Sequence, residues 1–157
     1  MTGINYWLMK SEPDVYGIHN LKEEEITLWD GIRNYQARNF MRTMKIGDQS
    51  FFYHSNCKPP GIVGMMEVIK TDLIDPTQFD LKSKYYDQKS TKEKPIWDCV
   101  EMKYIGKFKN ALSLKELKEI YSTEELQVIR KGNRLSIMPV ISKTAIDILK
   151  RLGEPIA

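Results

Sequence analysis

The stretch Gln49-Ser-Phe-Phe-Tyr-His54 is apolar at both odd and even positions through its centre. A second stretch, from Ile62 to Ile69, has the same character and is interrupted by Gly64. A strand with one buried face alternates apolar and polar residues, whereas a strand buried on both faces does not. We therefore predict that both stretches are strands inside a small β-barrel.

The flanking sequence predicts an α+β domain around these two strands. Further strands are predicted from about Asn5 to Ser11, from Ile96 to about Tyr104 and from Leu135 to Val140. Helices are predicted at about Tyr35–Met44, from Leu114 after a Ser113/Glu116 capping box, from Thr123 through Ile129, and from Ser142 to a stop at Gly153. A short helix or turn is predicted for residues 16–25, and a long surface loop is predicted for residues 71–95. Regular strand–helix alternation is absent, which argues against a Rossmann or TIM layout.

The composition is that of one globular domain spanning residues 1–157. Hydrophobic residues make up 41% and charged residues 29%, and no apolar run approaches the roughly 18 residues that span a membrane. The net charge of +3 permits nucleic-acid binding without requiring it. Two cysteines are too few for a disulfide framework, and no secretory leader is evident. We expect an intracellular, reducing compartment.

Catalytic and metal-binding patterns are weak in this sequence. His54 and Cys57 lie three residues apart, as a base and a nucleophile would, but no orienting carboxylate stands near them in the sequence. The histidines and cysteines lack the paired spacings of zinc sites, and no phosphate loop or dinucleotide fingerprint occurs. We expect no catalytic residue, no metal and no cofactor. The enzyme alternative is an activity on a nucleotide or a modified base, with His54 as acid or base.

Polar and aromatic residues are concentrated where strands and loops should end. They fall in Lys10-Ser-Glu-Pro13, Trp29-Asp-Gly-Ile-Arg-Asn34, Tyr53-His-Ser55, at Trp97 and in Arg134-Leu-Ser136. Such side chains suit a planar polar ligand, because an aromatic face stacks on a base and the polar groups bond its edge. Each has a purely structural alternative: the tryptophans can pack in a core, Asn34 can cap a helix and the serines can satisfy strand ends.

The predicted helix at 35–44 also carries a basic flank. Arg38, Arg42 and Lys45 share one side of it, away from the apolar stripe, and the segment from Gly31 to Lys45 contains no acid. This flank is either a solvated surface or a binding surface for phosphates.

Several sequence blocks resemble a known family. They are Tyr6-Trp-Leu-Met-Lys-Ser-Glu-Pro13, Trp29-Asp-Gly-Ile-Arg-Asn-Tyr-Gln-Ala-Arg-Asn39, Gly47-Asp48, Phe52-Tyr-His-Ser-Asn-Cys-Lys-Pro-Pro-Gly-Ile-Val-Gly64 and Arg134-Leu-Ser-Ile-Met-Pro-Val140. In order and extent they closely resemble the EVE domain family. The resemblance implies a PUA-like fold, a small mixed or antiparallel β-barrel with short flanking helices, related to the YTH and ASCH domains. It also implies a pocket for a modified base, with modified cytosine in DNA the leading ligand and modified RNA the rival.

The resemblance, together with strand and helix phase, assigns candidate site residues. The predicted base-binding residues are Ser11, Trp29, Asn34, Tyr53, His54, Ser55, Trp97 and Ser136, and the predicted phosphate-binding residues are Arg33, Arg38, Arg42 and Arg134. The partner implied is a nucleic acid carrying a modified base, and no membrane partner is expected. The expected location is the cytoplasm of a bacterium or the nucleus of a eukaryote. The three segments beginning at Lys10, Trp29 and Tyr53 should then line one concavity. A protein-interaction module, the third class, would instead expose an apolar patch.

Overall fold

The computed structural model describes residues 3–157 as a six-stranded mixed sheet with helices on both faces. The strands are β1 (Tyr6–Ser11), β2 (Ile26–Trp29), β3 (Gln49–His54), β4 (Gly61–Ile74), β5 (Asp98–Ser113) and β6 (Ile137–Val140). The helices are α1 (Pro13–Tyr16), α2 (Ile18–Glu24), α3 (Tyr35–Thr43), α4 (Leu114–Ile120) and α5 (Ser142–Leu152), with 3-10 turns at Pro76–Phe79 and Gln127–Ile129. The predicted α+β class is confirmed. Within the described range, every helix is too short or too polar to cross a lipid bilayer.

The sheet is open but strongly curved. Its strand order is β2-β5-β4-β3-β1-β6, with β1 parallel to β3 and every other neighbouring pair antiparallel. Across residues 3–157 the outer strands β2 and β6 do not pair, so the closed barrel implied by the resemblance is not confirmed. Trp29 of β2 nevertheless packs edge-to-face on Phe52 of β3, with ring centroids 5.5 Å apart, although two strands separate them in the sheet. The curvature therefore brings β2 over the centre of the sheet.

The central strands are buried on both faces, as predicted. In β1, Trp7 and Met9 face one core while Leu8 faces the other. In β3, Phe52 faces the same core as Trp7 and Phe51 faces the same core as Leu8, and both phenylalanines are fully buried. Aligned residues of parallel neighbours point to the same side, so the pairing of Leu8 with Phe51 and of Met9 with Phe52 builds two separate apolar layers.

Helices cover both layers through the stripes predicted from sequence. On one side α2 and α3 pack on the Trp7 layer, with Ala37 and Met41 of α3 buried. On the other side α4 and α5 pack on the Leu8 layer, with Ala145 and Ile148 of α5 buried. The capping box at Ser113 and the stop at Gly153 are confirmed.

Some element predictions were incomplete or wrong. Strand β2 was not predicted, because it has only four residues and buries only Trp29. Strands β4 and β5 extend well beyond their predicted ranges, and bulges between them interrupt the period-two signal. The helix predicted from Thr123 through Ile129 is wrong. Only residues 127–129 form a 3-10 turn, since Leu126, Val128 and Ile129 all point inward and do not make a helical stripe.

Candidate functional site

A cleft of about 640 Å³ opens where β1 and β3 end. Its walls come from residues 10–12, from α1 at residues 15–16, from the end of α2 at Glu24, from residues 27–32, and from Ser55, Tyr85, Arg134 and Ser136. The segments beginning at Lys10, Trp29 and Tyr53 therefore meet here, the last of them through Ser55. This volume lies within the range of sites that hold small planar ligands, about 300–1,000 Å³.

Parallel pairing explains why two distant polar segments meet. β1 and β3 run in the same direction, so their carboxyl ends reach the same edge of the sheet, and Ser55 N–H donates to the Ser11 carbonyl at 3.0 Å. β6 arrives antiparallel on the other side of β1, and Lys10 N–H donates to the Ser136 carbonyl at 2.8 Å. Three chain segments are thus held at one corner by backbone hydrogen bonds.

The opposite wall is held by a buried carboxylate. Asp75 is fully buried, and its Oδ2 accepts from Gly31 N–H at 2.8 Å and from Arg33 Nη1 at 3.0 Å. Its Oδ1 accepts from the backbone N–H of Thr77 at 2.7 Å and from the Thr77 hydroxyl at 2.6 Å. Four donors therefore satisfy this carboxylate and fix the loop that follows Trp29.

Tyr85 reaches the cleft from the long segment between β4 and β5. Its carbonyl accepts from Arg33 Nε at 3.0 Å and from Nη2 at 2.7 Å. Its ring lies so close to Gly31 that a Cβ there would approach ring atoms at 2.8 Å, and Gly31 has a φ of +76°, which favours glycine. Gln78, fully buried, holds the base of the same segment by donating to the Asp75 and Trp97 carbonyls and accepting from two backbone N–H groups. The segment is consequently anchored against the cleft.

Several polar groups of the cleft already have protein partners. The Ser11 hydroxyl donates to the Tyr16 carbonyl at 2.6 Å, and the Tyr16 hydroxyl donates to Glu24. The Glu12 carboxylate accepts from Asn56 at 2.6 Å. Burial raises the pKa of Tyr16 to about 12, and the bond to Glu24 adds to this, so the phenol stays protonated.

Two charged side chains in the cleft have perturbed acidity. Burial lowers the pKa of the Lys10 ammonium. Neighbouring groups crowd the Asp30 carboxyl although the residue keeps an exposed surface. That partial burial, followed by the charge of Asp75, raises the pKa of Asp30, while Arg33 opposes the shift.

Five of the predicted residues line the cleft: Ser11, Trp29, Ser55, Arg134 and Ser136. Trp29 is only 7% exposed and forms part of the apolar core behind the wall. The structural alternative for Trp29, core packing, is thus realised, and the same side chain still borders the cleft.

Four predicted base-binding residues lie outside the cleft lining. Tyr53 is buried in the Leu8 layer, and burial raises its pKa to about 12. Asn34 caps α3 by accepting from Ala37 N–H at 2.9 Å. The Nε2 of His54 accepts from Ile18 N–H at 3.1 Å. Trp97 is buried, and its indole N–H donates to Asp87 at 2.8 Å. The polar atoms of Asn34, His54 and Trp97 are bonded within the protein, and contact of any of the four residues with a base stays a prediction.

Three of the predicted phosphate-binding arginines are also engaged by the protein. Arg33 bonds Asp75, Arg38 Nη1 donates to the Ile96 carbonyl at 2.9 Å, and Arg42 makes a two-pronged pair with Asp98 at 2.7 and 3.0 Å. Arg134, by contrast, lines the cleft with an exposed side chain. A phosphate role for the first three remains a prediction.

Comparison with known proteins places the chain in a family. The family model described as "EVE domain" matches residues 5–151. The chain belongs to the EVE domain family. Human thymocyte nuclear protein 1 is 40% identical to this EVE domain over 168 residues, covering 96% of this chain and 74% of the human protein.

Solved structures resemble this EVE domain over most of its length. Protein PSPTO5229 from Pseudomonas syringae has a TM-score of 0.90 at 47% identity, covering 94% of this chain and 99% of that one. The crystal structure of the human THYN1 protein in complex with DNA containing 5-methylcytosine has a TM-score of 0.89 at 38% identity, covering 96% and 99%. The Mmi1 YTH domain, at 15% identity, has a TM-score of 0.56, which shows a shared fold.

Of the sixteen residues that line the cleft of this EVE domain, eleven were not predicted as site residues, among them Lys10, Asp30 and Tyr85. Lys10 and Asp30 lay inside the polar blocks but were not selected as ligand-binding residues. Tyr85 stands in a stretch without periodicity, where no sequence signal indicated that its ring would return to the cleft.

The partial burial of His54 predicts that the free energy of unfolding of this EVE domain depends on pH. Burial, then the charges of His19 and Lys107, lower its pKa below the ordinary value of 6.5. As the pH falls, the His54 imidazole is therefore protonated earlier in the unfolded chain than in the folded protein. Its contribution to the free energy of unfolding is complete above about pH 6.5 and is lost as the pH falls towards the pKa of His54 in the folded protein. We expect the unfolding free energy to fall there by at most about 1.4 kcal/mol per pH unit. Urea unfolding at a series of pH values measures this slope.

The variant His54→Gln should remove the contribution, whereas His19→Gln, at the only other histidine, should retain the larger part of it, which comes from burial of His54. An unchanged slope in His54→Gln would assign the effect to another group.

Proposed function

We propose that this protein is a non-enzymatic reader that holds one modified base of a nucleic acid, with modified cytosine in DNA as the ligand. The observation that carries this proposal is the complex of its human relative with DNA containing 5-methylcytosine, at 38% identity over 96% of this chain. The enzyme alternative is less well supported, because the Nε2 of His54 is occupied by Ile18 N–H and is not free to act as a base.

The cleft has the chemistry that such a ligand requires. Trp29 and Tyr85 bring aromatic surface to its walls, and Ser55 and Ser136 bring hydroxyl groups. Arg134 and Lys10 place positive charge at the same opening. A base extruded from a duplex loses a few kcal/mol of stacking and pairing, which these aromatic and polar contacts would offset.

Selectivity for a methyl group should be modest if it rests on apolar burial alone. One buried CH₂ contributes about 0.8 kcal/mol, which corresponds to about a fourfold change in affinity. Larger preferences require that a polar feature of the base is read as well.

The test is binding to oligonucleotides that differ at one base. We expect a labelled single-stranded DNA with 5-methylcytosine to bind about fourfold tighter than the same strand with cytosine, as measured by fluorescence anisotropy. Matched RNA strands, with and without the modification, decide between DNA and RNA. Affinity should fall as salt rises, with a logarithmic slope of about 0.7 per phosphate contact. Equal affinity for modified and plain strands in both nucleic acids would refute modified-base reading.

The variant Arg134→Ala should weaken binding to all strands alike and reduce the salt slope by about one phosphate contact. Its matched control is Arg151→Ala, which removes the same charge from α5, in the layer on the other face of the sheet, where Arg151 pairs with Asp147.

A further inference from the structure

The cleft contains three carboxylates, and they differ in how they are occupied. Glu12 accepts from Asn56 Nδ2, and Glu24 accepts from the Tyr16 hydroxyl. Asp30 accepts no hydrogen bond from the side chain of any other residue in the range 3–157, although it lines the same cleft. Among the three, Asp30 is therefore the carboxylate with neither oxygen bonded by another residue's side chain, whereas Glu12 and Glu24 each have one oxygen occupied.

The position of Asp30 is fixed from both sides. Trp29, which precedes it, is anchored in the core and pairs with Val100 at the end of β2. Gly31, which follows it, donates its N–H to the buried Asp75. The carboxyl is thus presented from a rigid backbone, as a group that reads a ligand must be.

We infer that Asp30 accepts a hydrogen bond from the exocyclic amino group of the bound base, and so selects amino-bearing pyrimidines over keto pyrimidines. This inference rests on the proposed function and names the feature of the base that is read. Carboxylates are the side chains that accept from the N4 amino group of cytosine. The carbonyl O4 of thymine or uracil in the same place would face the carboxylate with a second acceptor.

The electrostatics of Asp30 agree with this role. Partial desolvation of the carboxyl, followed by the negative charge of Asp75, raises the pKa of Asp30, although the residue keeps an exposed surface that a ligand can reach. A carboxylate in that state gains more from an amino donor than a fully solvated one, and is repelled more by a carbonyl oxygen.

The test compares two bases that carry the same 5-methyl group. Thymine and 5-methylcytosine share the ring and the 5-methyl group and differ only on the pairing edge, with a keto group in place of the amino group at position 4 and an N–H in place of the acceptor nitrogen at position 3. Matched single strands therefore compare the two edges, and the Asp30 variants assign the difference to this contact. We expect the wild-type protein to bind the 5-methylcytosine strand about tenfold tighter than the thymine strand. Asp30→Asn, which presents a donor as well as an acceptor, should reduce that ratio to about twofold or less, and Asp30→Ala should do the same.

Asp147→Asn is the matched control. It makes the same substitution on α5, outside the cleft, in an exposed ion pair with Arg151, so the ratio should stay near the wild-type value. The inference is overturned if the wild-type protein binds the 5-methylcytosine and thymine strands equally well, or if both Asp30 variants keep the wild-type ratio of these affinities. In either case, a preference for 5-methylcytosine over cytosine leaves the proposed function standing. Absence of binding to every strand overturns both. Thermal unfolding of each variant checks that it is folded.

Discussion

Asp75→Asn is expected to lower the unfolding free energy by about 3 kcal/mol. The wild-type carboxylate is fully buried and accepts from Gly31, from Arg33 and twice from Thr77. The asparagine side chain keeps one acceptor oxygen, but its NH₂ group faces hydrogen-bond donors. Some of the donors from Gly31, Arg33 and Thr77 therefore lose their acceptor. Removing one member of a buried pair typically costs about 3–5 kcal/mol. We place the loss at the lower end because the Arg33 side chain keeps 23% exposure and water can solvate part of its charge.

The matched control for this prediction is Asp98→Asn. It makes the same substitution in an ion pair with Arg42, whose side chains are 21% and 44% exposed. Solvent-exposed pairs contribute about 0–1 kcal/mol, so the control should lose less than about 1 kcal/mol. Urea unfolding of the three proteins measures both losses. Similar losses in the two variants would show that burial of Asp75 is not what makes its bonds important.

The same substitution should also weaken ligand binding. Asp75 holds Gly31, and Arg33 holds the Tyr85 carbonyl, so two walls of the cleft depend on it. Binding should be measured well below the unfolding temperature of the variant, so that loss of the cleft is separated from loss of the fold.

Trp29→Ala is expected to lower the unfolding free energy by about 3–5 kcal/mol. The indole is 7% exposed and packs on Phe52 within the apolar layer that α2 and α3 cover. Truncation of a buried aromatic side chain leaves a cavity in addition to the lost burial. Leu28→Ala, at a neighbouring cleft residue that is 39% exposed, should lose less than about 1 kcal/mol. Equal losses at the two positions would show that Trp29 is not a core residue.

Trp29→Phe separates the structural contribution of Trp29 from its contribution to binding. It retains an aromatic ring in the core, and we expect a stability loss of roughly 1–2 kcal/mol, which leaves a folded protein. If the indole contacts the base, affinity for the modified strand should fall by about fivefold, the low end of a stacking contribution of about 1–3 kcal/mol. Unchanged affinity would limit Trp29 to a structural role.

Local patterns in the sequence were sufficient for the framework. The doubly apolar runs identified the central strands, and the stripes on α3 and α5 identified the faces that pack on them. These features follow from side-chain periods of two and 3.6 residues, which are properties of neighbouring positions. Elements with little burial, such as β2, left no such period.

The candidate site was harder to predict because polar side chains have two possible uses. Asn34, His54 and Arg33 have the chemistry to bind a base or a phosphate, and each is bonded within the protein. A residue type alone does not distinguish a group that binds a ligand from one that satisfies the backbone.

By itself, the sequence determined the α+β class, the central strands, the capping box of α4, and the concentration of polar residues at strand ends. Only the tertiary structure decided which polar groups stay free in the cleft. The reason is that the partner of a polar atom depends on residues far apart in the chain: Gly31 meets Asp75, 44 positions away, and Arg33 meets Tyr85, 52 positions away. Those contacts leave Asp30 and Arg134 facing the cleft, and no local pattern encodes them.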